Sequence, residues 1–286
     1  MRITVVGGMN LDLLATPSSP LLSRDSTPGH ITVRAGGVGR NIAARLSRWG
    51  VQVSLITALG GDERAEWLER LCRQDGIDLS AALTTDRPAP CYLCIHDYRG
   101  DMALAVNDMS AMDCLTPERM TERMDAVNAA DGCVLDANLP AATLLLIARR
   151  ATVPLILDPV SCAKAGRARD ILSRLAAIKP NALEAEALTG QRNVEFAAQT
   201  LIGQGVRNVF ISLGAEGVYF ACREEKGYLP ALPLPALPAT GAGDAFCAGL
   251  TLALLQGQGA RSCAEAGLAA AHDALLRAGM PGAPDR

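Results

Sequence analysis

Aromatic residues make up only 3% of this 286-residue chain, so whatever core it builds must be aliphatic and rich in alanine. Long apolar runs are missing too. The longest candidate, around Leu144 to Ile147, stops at Arg149 and Arg150, far short of the roughly 20 residues needed to cross a bilayer. The N-terminus begins Met1-Arg2-Ile3-Thr4-Val5-Val6 but meets Asn10 and Asp12 early and shows no signal-peptide cleavage pattern, so the expected location is cytoplasmic. Positive charge is not in excess. A net charge of −3 and a pI near 5.7 exclude nucleic-acid and membrane-surface binders, which usually carry a basic face. A phosphorylated small molecule could still be held by local donors. Histidine is scarce, and His30, His96 and His272 show no metal-ligand spacing.

Cysteine is present, but not in a pattern that stitches a small fold together. Nine are scattered through a chain much larger than a disulfide-stapled module. Cys91 and Cys94 form the one close pair, a possible redox or zinc half-site, with no second pair of matching spacing. The segment Cys91-Tyr92-Leu93-Cys94-Ile95 reads as a strand, and an odd spacing of three sends the two thiols to opposite faces. Reduced, structural thiols are the reading.

What the chain does have is apolar content, at 49%, enough for a sizeable core. That content is distributed as alternating strand and helix. Ile3 to Gly8 is a buried-strand pattern ending in paired glycines. Gly37 to Trp49 carries Ile42, Leu46 and Trp49 at helical spacing, and Glu63 to Gln74 is a second amphipathic helix. Val53 to Leu59, Cys133 to Leu135, Pro154 to Leu157 and Asn208 to Leu213 read as further strands; Ala141 to Arg150, Ala242 to Gln256 and Ala260 to Arg277 read as helices. This alternation predicts one α/β domain over residues 1–286, with a mainly parallel sheet covered on both faces and ligands at the carboxyl ends of its strands. Residues 11–34 and 90–106 break the pattern and are expected to form a small β-sheet lid, the second around the turn Tyr98-Arg99-Gly100-Asp101. No internal repeat is present, and Pro230 to Pro238 reads as a connecting strand edge rather than a linker.

Four motifs carry chemistry. Thr240-Gly241-Ala242-Gly243-Asp244 opens an Ala-rich helix. Small residues there let main-chain N–H groups converge on an anion at a helix N-terminus, and a carboxylate at that point can take a proton from a hydroxyl. Gly36-Gly37-Val38-Gly39-Arg40-Asn41 allows close approach of a ligand to the backbone, with the Asn41 amide one turn into the helix. It is neither a Walker A loop, lacking the Gly-Lys-Ser/Thr ending, nor a good dinucleotide fingerprint. Lys179-Pro180-Asn181-x-x-Glu184 offers a helix cap at Asn181 and either a solvated Glu184 or one that holds Mg²⁺ through water. Ser212-Leu213-Gly214-x-x-Gly217 is a tight turn after a buried strand, fit to line a nucleotide site or merely to join two strands.

In this order the four motifs resemble those of the ribokinase-like (PfkB) carbohydrate and nucleoside kinases, over nearly the whole chain from Ile3 to about Arg277. The resemblance implies a three-layer α/β core with a small β lid, ATP and Mg²⁺ as cofactors, a small sugar or nucleoside as substrate, and phosphoryl transfer to a hydroxymethyl group. By position it implies Asp244 as the base, with Gly241, Ala242 and Gly243 forming the anion hole. Asn10, Asp12, Gly36, Gly37 and Asn41 would hold the sugar, and Asn107 would close over the substrate from the lid. Asn138 falls where ribokinases place a sugar-binding Glu. Asn181, Glu184, Ser212, Gly214, Gly217 and Thr240 would line the nucleotide site. Many members bind a monovalent cation through an Asp six residues before the catalytic one; here Pro238 stands in that place and has no side-chain ligand. Lid sheets with exposed edges commonly pair, so a homodimer is expected. The competing readings are a ligand sensor on the same fold, opposed by the intact glycine loop and Asp244, and a nicotinamide-dependent oxidoreductase, opposed by the missing fingerprint.

Overall fold

The computed structural model describes residues 1–233 and 241–278. In chain order its strands are β1 (Arg2–Val6), β2 (Asn10–Pro17), β3 (Gly29–Gly36), β4 (Gln52–Ile56), β5 (Ala58–Leu59), β6 (Ile77–Asp78), β7 (Leu83–Thr84), β8 (Cys91–His96), β9 (Met102–Asp108), β10 (Gly132–Asp136), β11 (Leu155–Asp158), β12 (Leu175–Ile178), β13 (Val209–Ser212), β14 (Val218–Ala221) and β15 (Lys226–Leu229). The helices are α1 (Val38–Arg48), α2 (Glu63–Gln74), α3 (Pro117–Thr121), α4 (Met124–Asn128), α5 (Ala141–Arg150), α6 (Cys162–Ala165), α7 (Ala182–Thr189), α8 (Val194–Gly203), α9 (Ala242–Leu255) and α10 (Ala260–Ala278).

Nine strands make the main sheet, in the order β15-β14-β13-β12-β11-β10-β1-β4-β6. The pairs from β6 to β13 are all parallel, and only the β13–β14 and β14–β15 pairs at one edge are antiparallel, so β14 alone is reversed. The strand sequences explain why both faces are covered. On β10, Cys133 and Leu135 enter one apolar cluster while Val134 enters the other; on β11, Leu155 and Leu157 part from Ile156 in the same way. Side chains with a period of two can be apolar at every position only if helices lie on both sides. Helices α1, α2, α9 and α10 cover one face, and α3 to α5, α7 and α8 cover the other. This is the three-layer arrangement that the alternation predicts.

The apolar run Val53 to Leu59 is not one strand. It divides at Thr57, whose carbonyl accepts the N–H of Leu83, and Ala58 and Leu59 then leave the main sheet to pair with β7. The irregular stretches build a four-stranded sheet in the order β3-β2-β8-β9. The outer pairs are antiparallel hairpins and the central pair, β2 with β8, is parallel. Its register puts Arg34, Asp12, Tyr92 and Asn107 in one cross-strand row, hence on one face. Val33, Leu13, Leu93 and Val106 form the next row, on the opposite face. Among the described residues no helix is long and apolar enough to cross a membrane.

Candidate active site

Several polar residues of the main body sit at or just past the carboxyl end of a parallel strand, where crossovers leave room for ligands. Gly7 and Gly8 follow β1, Asp136 ends β10, Asp158 ends β11, Lys179 to Asn181 follow β12, and Ser212 ends β13. Asp136 is fully buried and acts as an acceptor hub. Its Oδ2 accepts the N–H of Gly8 at 2.7 Å and of Gly39 at 2.9 Å, and its Oδ1 accepts that of Asn138 at 2.9 Å. Burial pushes its proton affinity up against those hydrogen bonds. One carboxylate thus ties together the β1 loop, the start of α1 and the β10 loop.

Helix α1 begins with no side-chain cap, at Gly37 with φ 97°, a conformation glycine adopts freely. A Cβ there would collide with the Gly8 carbonyl, so the paired glycines let the helix start press onto the β1 loop. The same close approach lets Gly36 face the Asp12 carboxylate. Asn10 is buried and donates to Asp12, which is half-buried; burial raises the proton affinity of Asp12 more than Asn10, Arg34 and Arg40 lower it. The Arg40 guanidinium pairs with Asp75 at 2.8 Å, and its Nη1 donates to Asn41 Oδ1 at 3.4 Å.

Helix α9 begins at Gly241, with φ 80° and again no side-chain cap. The amides of Ala242 and Gly243 in its first turn belong to the set a helix leaves without intrahelical acceptors, and they add to the positive end of its dipole. Asp244 lies in that turn, and its Oδ2 accepts a hydrogen bond from Asn41 Nδ2 at 2.8 Å. This contact joins two motifs 203 positions apart. Asp244 keeps part of its surface open, yet the packed groups around it strip away enough water to push its pKa up to about 7. Repulsion from Asp158 adds to the rise, the Asn41 hydrogen bond and Lys179 oppose it, and Asp136 reinforces it. A carboxylate with that affinity is suited to take a hydroxyl proton near neutral pH.

The motifs that begin at Lys179 and Ser212 also converge. Asn181 and Ser212 form a bridge between neighbouring strand ends, and Ser212 N–H donates to the Pro180 carbonyl at 2.9 Å. Gly214 and Gly217 bound the turn that follows. Glu184 is buried, and its Oε2 accepts the Asn181 N–H at 2.9 Å while Asn181 Oδ1 accepts the Glu184 N–H at 2.8 Å, a complete capping box. The cap is therefore the work this carboxylate is seen to do, and no solvated Glu184 exists. Lys179, which opens this motif, is buried and paired with Asp158 Oδ2 at 2.9 Å. Asn138 is buried; Lys164 Nζ, on α6, donates to its Oδ1 at 2.7 Å, and a Cβ on Gly8 would lie 2.6 Å from its Nδ2. Asn107 is exposed on β9, in the cross-strand row that holds Tyr92 and Asp12. Thr240 and Pro238 lie outside the described residues.

Reading the sequence by motifs gave no role to Asp136, Asp158, Lys164 or Tyr92, nor to Lys179, although Lys179 opens the third motif. Three of them carried a signal. A charged residue closes each of the apolar strings Cys133-Val134-Leu135-Asp136, Leu155-Ile156-Leu157-Asp158 and Ala176-Ala177-Ile178-Lys179, and in a parallel sheet that position faces the ligand end.

Residues 1–282 match the family model described as pfkB family carbohydrate kinase. The chain is 32% identical over 263 residues to the pseudouridine kinase of Escherichia coli, covering 89% of this chain and 84% of that one. It is 26% identical over 287 residues to the ribokinase of Haemophilus influenzae, covering 97% and 93% of the two chains. In structure it is similar to the ribokinase of Thermotoga maritima, with a TM-score of 0.88, 26% identity and coverage of 100% of this chain and 97% of that one.

Proposed function

Because the chain belongs to the pfkB family of carbohydrate kinases, we propose that it transfers the γ-phosphoryl group of ATP to the 5′-hydroxyl of pseudouridine, giving pseudouridine 5′-phosphate. The observation that carries the phosphotransfer is the Asn41–Asp244 hydrogen bond of 2.8 Å, which seats a carboxylate of raised proton affinity beside the uncapped amides of α9. In this reading Asn10 and Asp12 take the ribose hydroxyls and aim the primary alcohol at Asp244. Asp244 accepts the alcohol's proton as the oxygen attacks phosphorus in line. The amides at Gly241, Ala242 and Gly243 face the charge carried by the moving phosphoryl group. Asn181, Ser212, Gly214 and Gly217 line the nucleotide.

Among the described residues no group of three or more acidic, histidine or cysteine side chains could cage a metal ion. In this reading Mg²⁺ would arrive on the phosphates of ATP, and the Glu184 oxygen that the cap does not use would reach it through water. Mg²⁺ so bound neutralises phosphate charge. With Pro238 in place of an acidic residue, strong activation by K⁺ through a side-chain ligand is not expected.

The small sheet acts as the lid. Its face bearing Asp12, Tyr92 and Asn107 turns towards the acceptor, and Asn107 reads the base. The opposite face exposes Ile31, Val33, Leu93, Leu104 and Val106, an apolar patch that a second copy of the chain covers in a homodimer. A monomeric mass at high protein concentration would remove the dimer from this account.

Pseudouridine as acceptor rests on the similarity to the Escherichia coli enzyme. The ribokinases among the relatives favour ribose as the second reading, with adenosine, inosine and guanosine behind it. ATP-coupled turnover across these nucleosides and ribose decides among them. Pseudouridine is expected to give the highest kcat/KM, and a clear preference for ribose would overturn the choice. No ATP consumption with any acceptor would favour a ligand sensor.

A further inference from the structure

Only three lysines occur in the chain, Lys164, Lys179 and Lys226, and Lys179 is the one that is buried. Its ammonium pairs with Asp158 at 2.9 Å, and both side chains are almost wholly removed from water. A buried ion pair is a poor route to stability, because desolvation offsets the attraction and an apolar pair of similar volume usually serves as well. Its placement is more informative than its strength. A Cβ on Gly243 would lie 3.2 Å from Lys179 Nζ, so the ammonium forms the floor beneath the first turn of α9.

The Asp158 side is held by a costly backbone. Its Oδ1 accepts the Val160 N–H at 2.8 Å, and Val160 has φ 68°, a left-handed conformation that a β-branched residue rarely adopts. Strain of this kind collects at functional sites, where the surrounding structure over-determines one geometry. The groups facing Asp244 are Asp158 and Asp136 from the strand ends, Lys179 beneath it, Cys247 one turn on along α9, and Asn41 and Arg45 from α1.

We propose that the Asp158–Lys179 pair sets the proton affinity of Asp244 and supports the anion-binding turn above it, with Lys179 a positioning residue that touches neither reactant. The proposal rests on Asp244 being the base. Its two halves pull in opposite directions: the Asp158 charge makes Asp244 hold its proton, and the Lys179 charge makes it let go.

The test follows the Asp244 carboxyl by ¹³C NMR titration in the intact chain, alongside the acid limb of kcat/KM, in four variants. Asp158→Asn is expected to move both midpoints to lower pH and Lys179→Met to higher pH, each by about one unit. Lys179→Arg should restore most of the wild-type midpoint. The double variant Asp158→Asn/Lys179→Met, with both charges removed, should fold and lie between the single variants. Lys179→Met should also lower kcat while leaving KM for the acceptor within about threefold, as expected of a group acting through another. If Lys179→Met does not fold, Lys179→Gln carries the same arm, since its amide can still donate to Asp158. Shifts of the same sign in the two single variants, or no shift in either, would overturn the proposal. The NMR titration needs neither ATP nor acceptor. Opposite shifts without phosphotransfer would sink the kinase reading and leave the pair standing; normal turnover with unmoved midpoints would do the reverse.

Discussion

The carboxyl ends of the main strands and the small sheet beside them are built of opposite materials. In the main body several polar side chains are buried and tied down: Asp136 accepts three main-chain N–H groups, Lys179 is locked to Asp158, and Asn138 is held by Lys164. In the small sheet every residue of β9 is exposed, and Asn107 has solvent around it. A site that must place a carboxylate and several amides to within fractions of an ångström needs the first kind of support. A surface that closes over a ligand and opens again is drawn from the less stable, more weakly packed parts of a fold. The difference is the one expected if, as proposed, the body carries the chemistry and the sheet recognises the acceptor.

Substitutions can break that comparison at either end. The largest effect is expected for Asp244→Asn, which keeps the shape and removes the proposed base: kcat should fall by about 10² to 10⁴, with KM for ATP little changed. Asp244 holds its proton more tightly folded, at a pKa of about 7, than unfolded, so its contribution to stability falls as pH rises from about 4 to 7. Asp244→Asn should therefore raise Tm at pH 8 and not at pH 5, by calorimetry. Next in size, Asp136→Ala strands three buried N–H groups, and denaturant unfolding should show a loss of about 2–4 kcal/mol. On the small sheet, Asn107→Ala should raise KM for the acceptor by about tenfold, the size of one lost hydrogen bond to ligand, with kcat and Tm unmoved. An equal loss in kcat would put Asn107 with the chemistry after all. The smallest effect on turnover is expected from Val106→Lys, on the exposed apolar face, which should convert the dimer to a monomer by light scattering while the Tm of the subunit stays within a few degrees.

Much of the main body was legible in the sequence because its signals are local. The boundaries of α2 and α5 follow from apolar spacing with Asp62 and Pro140 just before them, and the breaks at Gly8, Gly37 and Gly241 mark where strands and helices hand over to the site. The glycine motifs and Asp244 were legible for the same reason, since a tight turn before a helix requires small residues at fixed offsets. The contact between Asn41 and Asp244 was not, because nothing local links positions 203 apart; only the parallel order of the strands brings them together. Glu184 shows the limit from the other side. Its spacing from Asn181 fits a cap and a metal ligand equally, and only burial and the reciprocal hydrogen bonds reveal the cap. Lys179 and Asp158 looked like ordinary strand endings, and their pairing came from adjacent strands rather than from any motif.

The pH dependence of kcat/KM in the wild-type chain bears most directly on Asp244 as the base. With ATP and the preferred acceptor, activity should rise with a single ionisation near pH 7, and the residual activity of Asp244→Asn should lack that step. A flat profile from pH 5 to 8, or an identical step surviving in Asp244→Asn, would contradict the assignment.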